Sequence, residues 1–193
     1  MTQITLRHGI FLPPFHPMEE NPTACLDRDL ELMVWLDRLG FHEAWIGEHH
    51  SAGFEIISSP EIFIAIAAER TKFIRLGTGV VSLPYHNPLM VADRIIQLDH
   101  HTRGRVMFGA GPGLLASDAL MLGIDPMTQR DRMAEGIDVI LRLFRDETVT
   151  ERPTGTRSST RGCICRPTPS PIPKWRWSAP RRLRAGGSRG STI

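Results

Sequence analysis

Apolar positions along the first 150 residues follow two alternating patterns. Short, nearly continuous apolar runs end at Pro or Gly, as buried strands do, and longer runs repeat at three- and four-residue intervals, as one helix face does. Residues 7–12 (RHGIFL) form the first short run, closed by Pro13 and Pro14. A helix is predicted over about 23–39, with Leu26, Leu30, Met33 and Val34 on one face, Asn21 or Thr23 as its cap and Gly40 as its stop. Residues 44–47 are the next short run, leading into Glu48-His49-His50. Pro60 opens EIFIAIAAER, a helix apolar nearly all round and so expected to be buried. A third strand is predicted over 74–83 (IRLGTGVVSL), ended by Pro84. Pro88 then fits a helix first turn, with Val91, Ile95 and Leu98 below it. A fourth strand is predicted over 106–109, before a glycine-rich loop. The last helix carries Met133, Ile137, Ile140, Leu141 and Phe144 as a stripe, with Asp131, Glu135, Asp138 and Arg142 outside it.

Predicted strand centres near residues 9, 45, 78 and 107 repeat roughly every 30 positions. That is the size of one strand–helix unit in an α/β (β/α)₈ barrel, in which about 250 residues make eight units. A doubly wound sheet shares the alternation. In both, the strands are parallel and need cover on both faces. Only four units are readable, the first half of such a barrel.

Charge changes the picture after residue 151. Up to there the chain carries thirteen bases against all twenty-one acids, a net −8, and all eight histidines. Residues 152–193 carry ten bases and no acid. In that stretch 31 of 42 residues are Arg, Pro, Gly, Ser or Thr, too little apolar material to offset the ordering cost. The expected organisation is a folded unit over 1–150 and a basic, unstructured tail over 151–193. Excess Arg, Pro, Ser and Gly without acids is what an out-of-frame GC-rich coding region yields, so a frameshift with a chance stop accounts for the tail. The competing reading is a basic arm for nucleic acid with Trp175 and Trp177 as stacking platforms; no nucleic-acid fold precedes it, which argues against that partner. No apolar run is long enough to span a bilayer, the N-terminus lacks a secretory pattern, and Cys25, Cys163 and Cys165 form neither a disulfide framework nor a zinc set. A cytoplasmic protein with no membrane association is the expectation.

In a barrel, chemistry gathers where strands end at their C-termini. The readable ends are 13–16, 48–50, 78–86 and 109–113, three bearing histidines and two bearing glycines. A histidine at a strand end titrates near neutrality and can hydrogen-bond a reacting oxygen or nitrogen. Packing one ring of the His49-His50 pair beneath the strand and exposing the other is an equally good reading of the spacing alone. Neighbouring strand residues point to opposite faces, so the pair is poorly placed to hold one metal ion, and no metal is expected. His100-His101 suits the C-terminus of a helix on the opposite rim. Residues 109–113 (GAGPG) resemble a phosphate-cradling loop, although Pro112 lacks an N–H and a tight turn with no ligand fits as well.

The stretches RHGIFLPPFHP, LGFHEAWIGEHHSAG, LGTGVVSLPYHNP, LDHHTRGRVMFGAGPG and SDALMLGID, in this order over about 140 residues, resemble the luciferase-like flavin-dependent monooxygenases, and most of all their limonene monooxygenase branch. The resemblance implies the (β/α)₈ barrel, here its first four units, and stops after Val149. It places His49 in the catalytic position beside the reactive edge of the flavin ring. It places Thr78, Gly79 and Val80 under that ring, at a segment that often contains a non-proline cis peptide. Gly111 and Gly113 fall near the ribityl-phosphate arm, where some relatives have an arginine in place of Pro112. The implied cofactor is reduced FMN or FAD, supplied from NAD(P)H by a flavin reductase. The implied reaction inserts an oxygen atom from O₂ into a small apolar substrate such as a monoterpene alkene, and a homodimer is an allowed assembly. A flavin or deazaflavin oxidoreductase without O₂ insertion, and an inactive truncated remnant, are the alternatives.

Overall fold

A computed structural model describes residues 6–13 and 15–150; the predicted tail, with its frameshift and nucleic-acid readings, lies outside the described residues. Strands β1 (Gly9–Leu12), β2 (Glu43–Ile46), β3 (Arg75–Thr78) and β5 (Val106–Met107) form a parallel sheet in the order β1-β2-β3-β5. Pairing is in register, Phe11 opposite Trp45 opposite Gly77 opposite Met107. Helices α1 (Pro22–Arg38), α2 (Pro60–Arg70) and α3 (Pro88–His101) connect successive strands, and α5 (Gln129–Phe144) closes the described part. This is the repeating strand–helix architecture that the sequence period predicts.

Local chemistry sets the helix starts. Asn21 and Asn87 accept hydrogen bonds from amides of the first turns of α1 and α3, and Pro22, Pro60 and Pro88 occupy first-turn positions where no amide partner is needed. Alternate strand residues then bury one face: Ala44, Ile46 and Leu76 pack with Leu30, Met33, Phe63 and Ile64 from α1 and α2. A second cluster joins Val81, Val91, Ile95, Phe108, Ile140 and Leu143 between α3 and α5.

Three sequence expectations change. In α1 the buried positions are Cys25, Asp29, Leu30, Met33 and Leu36; Leu26 packs against them partly buried, and Val34 is half-buried. In α5, Val139 and Leu143 are buried beside Ile140, while Met133, Ile137 and Phe144 only flank the cluster, because the helix rolls toward α3. Helix α2 is not buried all round: Ile62 and Ile66 are 65% and 43% exposed, since the sheet and its neighbours cover only one side.

Where β3 begins, polar groups serve the backbone. Asp37 accepts the amides of Lys72, Phe73 and Ile74 at 2.9, 2.8 and 2.6 Å. Arg105 donates to the carbonyls of Ala68, Thr71, Ile74 and Thr102 and to the Thr71 hydroxyl, closing the end of α2 against the sheet.

Candidate functional site

At the other ends of the strands the backbone breaks and re-pairs. The single strand expected over 74–83 is two: β3 ends at Thr78, a cis Gly79–Val80 peptide follows, and β4 (Val81–Ser82) pairs with β6 (Ala110–Gly111) rather than with the main sheet. The strand predicted over 106–109 ends at Met107, and two of the five residues of the expected glycine loop, Ala110 and Gly111, form β6. Thr78, fully buried, staples the break: its hydroxyl donates to the Gly109 carbonyl at 2.8 Å and accepts the Gly109 amide at 2.9 Å. Gly79 and Val80 remain half-buried at the rim.

The two later glycines have internal reasons to be glycine. A methyl group at position 111 would press into the Val80 side chain, so Gly111 lets Val80 seat against β6. Gly113 has a φ of +81°, and the space a side chain would need holds the Tyr85 hydroxyl and the Gln129 amide. Gln129 in turn donates to Tyr85 Oη at 2.9 Å and to the Pro112 carbonyl at 2.8 Å.

Beside this break, β2 runs out into Glu48, His49 and His50. The two histidines do point to different partners, as adjacent extended residues must. The His49 ring lies between two nearly buried carboxylates, Nδ1 at 3.3 Å from Asp118 and Nε2 at 3.4 Å from Glu55, with 22% of its side chain exposed. A neutral imidazole carries one ring proton, so these two carboxylates compete for it. The His50 ring donates from Nε2 to Glu48 at 2.9 Å and meets Tyr85 edge-on.

Two buried acids organise the cluster. Glu48 accepts His50 and His86 on one oxygen and the Ser82 amide on the other, at 2.9, 3.1 and 3.0 Å. Burial alone would raise its pKa, but these three donors outweigh burial and hold it down at about 2. The same contact with Glu48 raises the pKa of His50 against the opposing effect of burial. Asp118, in α4 (Ala116–Met121), accepts the amides of His50 and Ser51 as well as His49 Nδ1. Burial pushes its carboxyl up, and the bonds from Ser51, His49 and His50 bring it below the ordinary range.

His49, Thr78, Gly79 and Val80 thus meet at one end of the sheet, and Gly111 supports them through Val80. Gly113 belongs to the neighbouring turn with Tyr85 and Gln129. Sequence reasoning missed Glu48 and His86 as a pair, and Glu55 and Asp118 as partners of His49. Glu48 stood in the singled-out triplet, but nothing local marks an acid 34 residues from Ser82 as its anchor. Helix α4 is six residues long and its apolar residues are mostly exposed, so no periodicity announced it.

Residues 6–188 match the luciferase-like monooxygenase family, and the chain belongs to that family. The match runs past Glu151 into the stretch set apart by composition. The chain is 58% identical over 144 residues to limonene 1,2-monooxygenase of Rhodococcus erythropolis, covering 75% of this chain and 37% of that protein. It is 62% identical over 143 residues to 4-hydroxyprotoasukamycin monooxygenase of Streptomyces nodosus subsp. asukaensis, covering 74% and 38%. The oxygenase component of the flavin-dependent trigonelline monooxygenase of Acinetobacter baylyi is 33% identical over 131 residues, or 67% of this chain and 36% of that one. Among solved structures, the monooxygenase RslO1 of Streptomyces bottropensis superposes with a TM-score of 0.78 at 30% identity, covering 84% of this chain and 50% of its own. The oxygenating constituent of 3,6-diketocamphane monooxygenase of Pseudomonas putida, solved with FMN, shares the fold with a TM-score of 0.76 at 24% identity, covering 81% and 44%. The chain therefore spans less than two fifths of the length of these curated relatives. No helix among the described residues is long and apolar enough to cross a membrane.

Proposed function

We propose that this chain contributes the flavin-facing half of a monooxygenase that inserts one oxygen atom of O₂ into a small apolar substrate, a monoterpene alkene being a substrate of the right character. The observation that carries the reading is the His49 ring, 22% exposed and set between Asp118 and Glu55 at the strand ends where Gly79 and Val80 are also only half-buried. Family membership and the flavin-dependent and FMN-bound relatives support it.

The residues present fit a flat, largely apolar ring. Adding a methyl group at Gly79 would crowd the Trp45 Cβ at 3.0 Å and the Phe11 ring at 3.4 Å, so glycine keeps this backbone low against the aromatic pair. Gly79 and Val80 would lie under the ring, with Thr78 and Gly111 holding them in place. Gly113 and its turn would lie toward the phosphate arm. Reduced flavin supplies the electrons that activate O₂, and a separate flavin reductase using NAD(P)H would deliver it. His49 would then hold or give, at a developing oxygen anion, the ring proton for which Asp118 and Glu55 compete.

The test compares His49→Ala with His50→Ala by oxidation of an alkene substrate at saturating reduced FMN. His49→Ala should lower turnover by about 10²-fold or more, the usual contribution of a positioned proton donor, and His50→Ala by much less. Equal losses, or a larger loss at His50, would remove His49 from the catalytic role.

A further inference from the structure

We propose that Glu48 is a positioning residue that keeps His49 and the Gly79–Val80 segment in register with one another; the role assigned to those two elements rests on the monooxygenase reading. Glu48 is the point where three pieces of chain meet. It follows β2 and directly precedes His49; its Oε2 accepts the Ser82 amide of β4, two residues beyond Val80; its Oε1 accepts His86, just before α3. Its side chain is only 1% exposed, so water cannot substitute for any of these donors.

The donor pattern requires a carboxylate. Arg94 donates to His86 Nδ1 at 3.4 Å, which leaves the His86 proton on Nε2, aimed at Glu48. The Ser82 amide is a donor by nature. His50 brings a third N–H, and its backbone amide is held by Asp118. A carboxylate has two acceptor oxygens for these three donors. A glutamine has one oxygen and one NH₂, and either orientation sets the NH₂ against a donor: against Ser82 in one, against His86 in the other. Glutamine is nearly the same size, so it separates hydrogen-bonding polarity from packing.

The experiment records ¹⁵N–¹H spectra of the ligand-free chain, amides and imidazoles, for the native protein and for Glu48→Gln, with FMN affinity measured in parallel by fluorescence quenching. The expected result is loss of the Ser82 amide shift, a His50 ring titrating closer to its ordinary pH, and displaced signals from the His49 ring and the Val80 amide. FMN should bind about tenfold more weakly, the loss expected for one hydrogen bond to a charged group. Changes confined to Ser82, His50 and His86, with His49 and Val80 unmoved, would overturn the proposal and leave Glu48 a local structural residue. If Glu48→Gln does not fold, Glu48→Asp, which keeps the charge but withdraws it by one methylene, is judged on the same His49 and Val80 signals. Failure of the native chain to bind FMN would count against the monooxygenase reading, while those two signals still decide the role of Glu48.

Discussion

The two rims of this sheet solve one electrostatic problem with different partners. Where β3 begins, Asp37 gathers three backbone amides, and Arg105 gathers four carbonyls and a hydroxyl. Where β2 and β3 end, Glu48 gathers one amide and two imidazoles, and Asp118 two amides and one imidazole. Both arrangements satisfy charge withdrawn from water, partly at Asp37 and Arg105 and almost wholly at Glu48 and Asp118. Backbone groups do not titrate. Imidazoles do, near neutrality, and at the second rim they bond directly to the two acids. The difference marks one rim as structural and the other as the place where chemistry can occur, as barrels distribute the two.

Acid should act most strongly at Glu48. The Glu48 carboxyl is held down at about 2 from an ordinary 4.5, so the stability it contributes is complete above pH 4.5 and is lost as pH falls toward 2. The amount is on the order of 3 kcal/mol. The native chain should therefore lose its stability advantage over Glu48→Gln across that window in chemical denaturation; an advantage that stays constant with pH would refute the shift. His50 works in the opposite sense: its raised pKa gives stability that is complete below pH 6.5 and lost as pH climbs through its folded value.

Asp37→Ala should cost about 2 kcal/mol, because three amides lose an anionic acceptor. The His49 and His50 ring signals should stay where they are. Movement of those rings would show that the two rims are coupled and the comparison too simple.

The smallest stability effect, about 1 kcal/mol, is expected for Asp118→Asn, which keeps an oxygen for the His50 and Ser51 amides. The new NH₂ would face His49 Nδ1 and drive the ring proton to Nε2, toward Glu55. Imidazole ¹⁵N shifts report this directly. An unchanged tautomer would mean that Asp118 does not set the protonation of His49.

Much of this molecule could be read along the chain. The asparagine cap of α1 and the proline start of α3 were legible because capping is decided within a few residues. The strand–helix order was legible because alternation and helical spacing record which faces are buried. His49 was visible through the resemblance of its neighbourhood, and the Gly79–Val80 segment likewise. The partial errors have a common origin. The exposed Ile62, and the roll of α5 onto Val139 and Leu143, depend on which neighbours a helix meets.

The chain's own pattern determined the strand–helix order of the fold, and the resemblance of its motifs picked out the histidine to examine. Tertiary structure alone decided what that histidine touches. Asp118 lies 69 residues from His49 and Ser82 lies 34 from Glu48, and no period or local spacing encodes a hydrogen bond across such distances. Burial patterns follow from the hydrophobic effect, which is non-directional and roughly proportional to area and is therefore written along the sequence. A hydrogen bond is directional and effective only over about 3 Å, so its partners exist only once the strands have brought distant loops to the same rim.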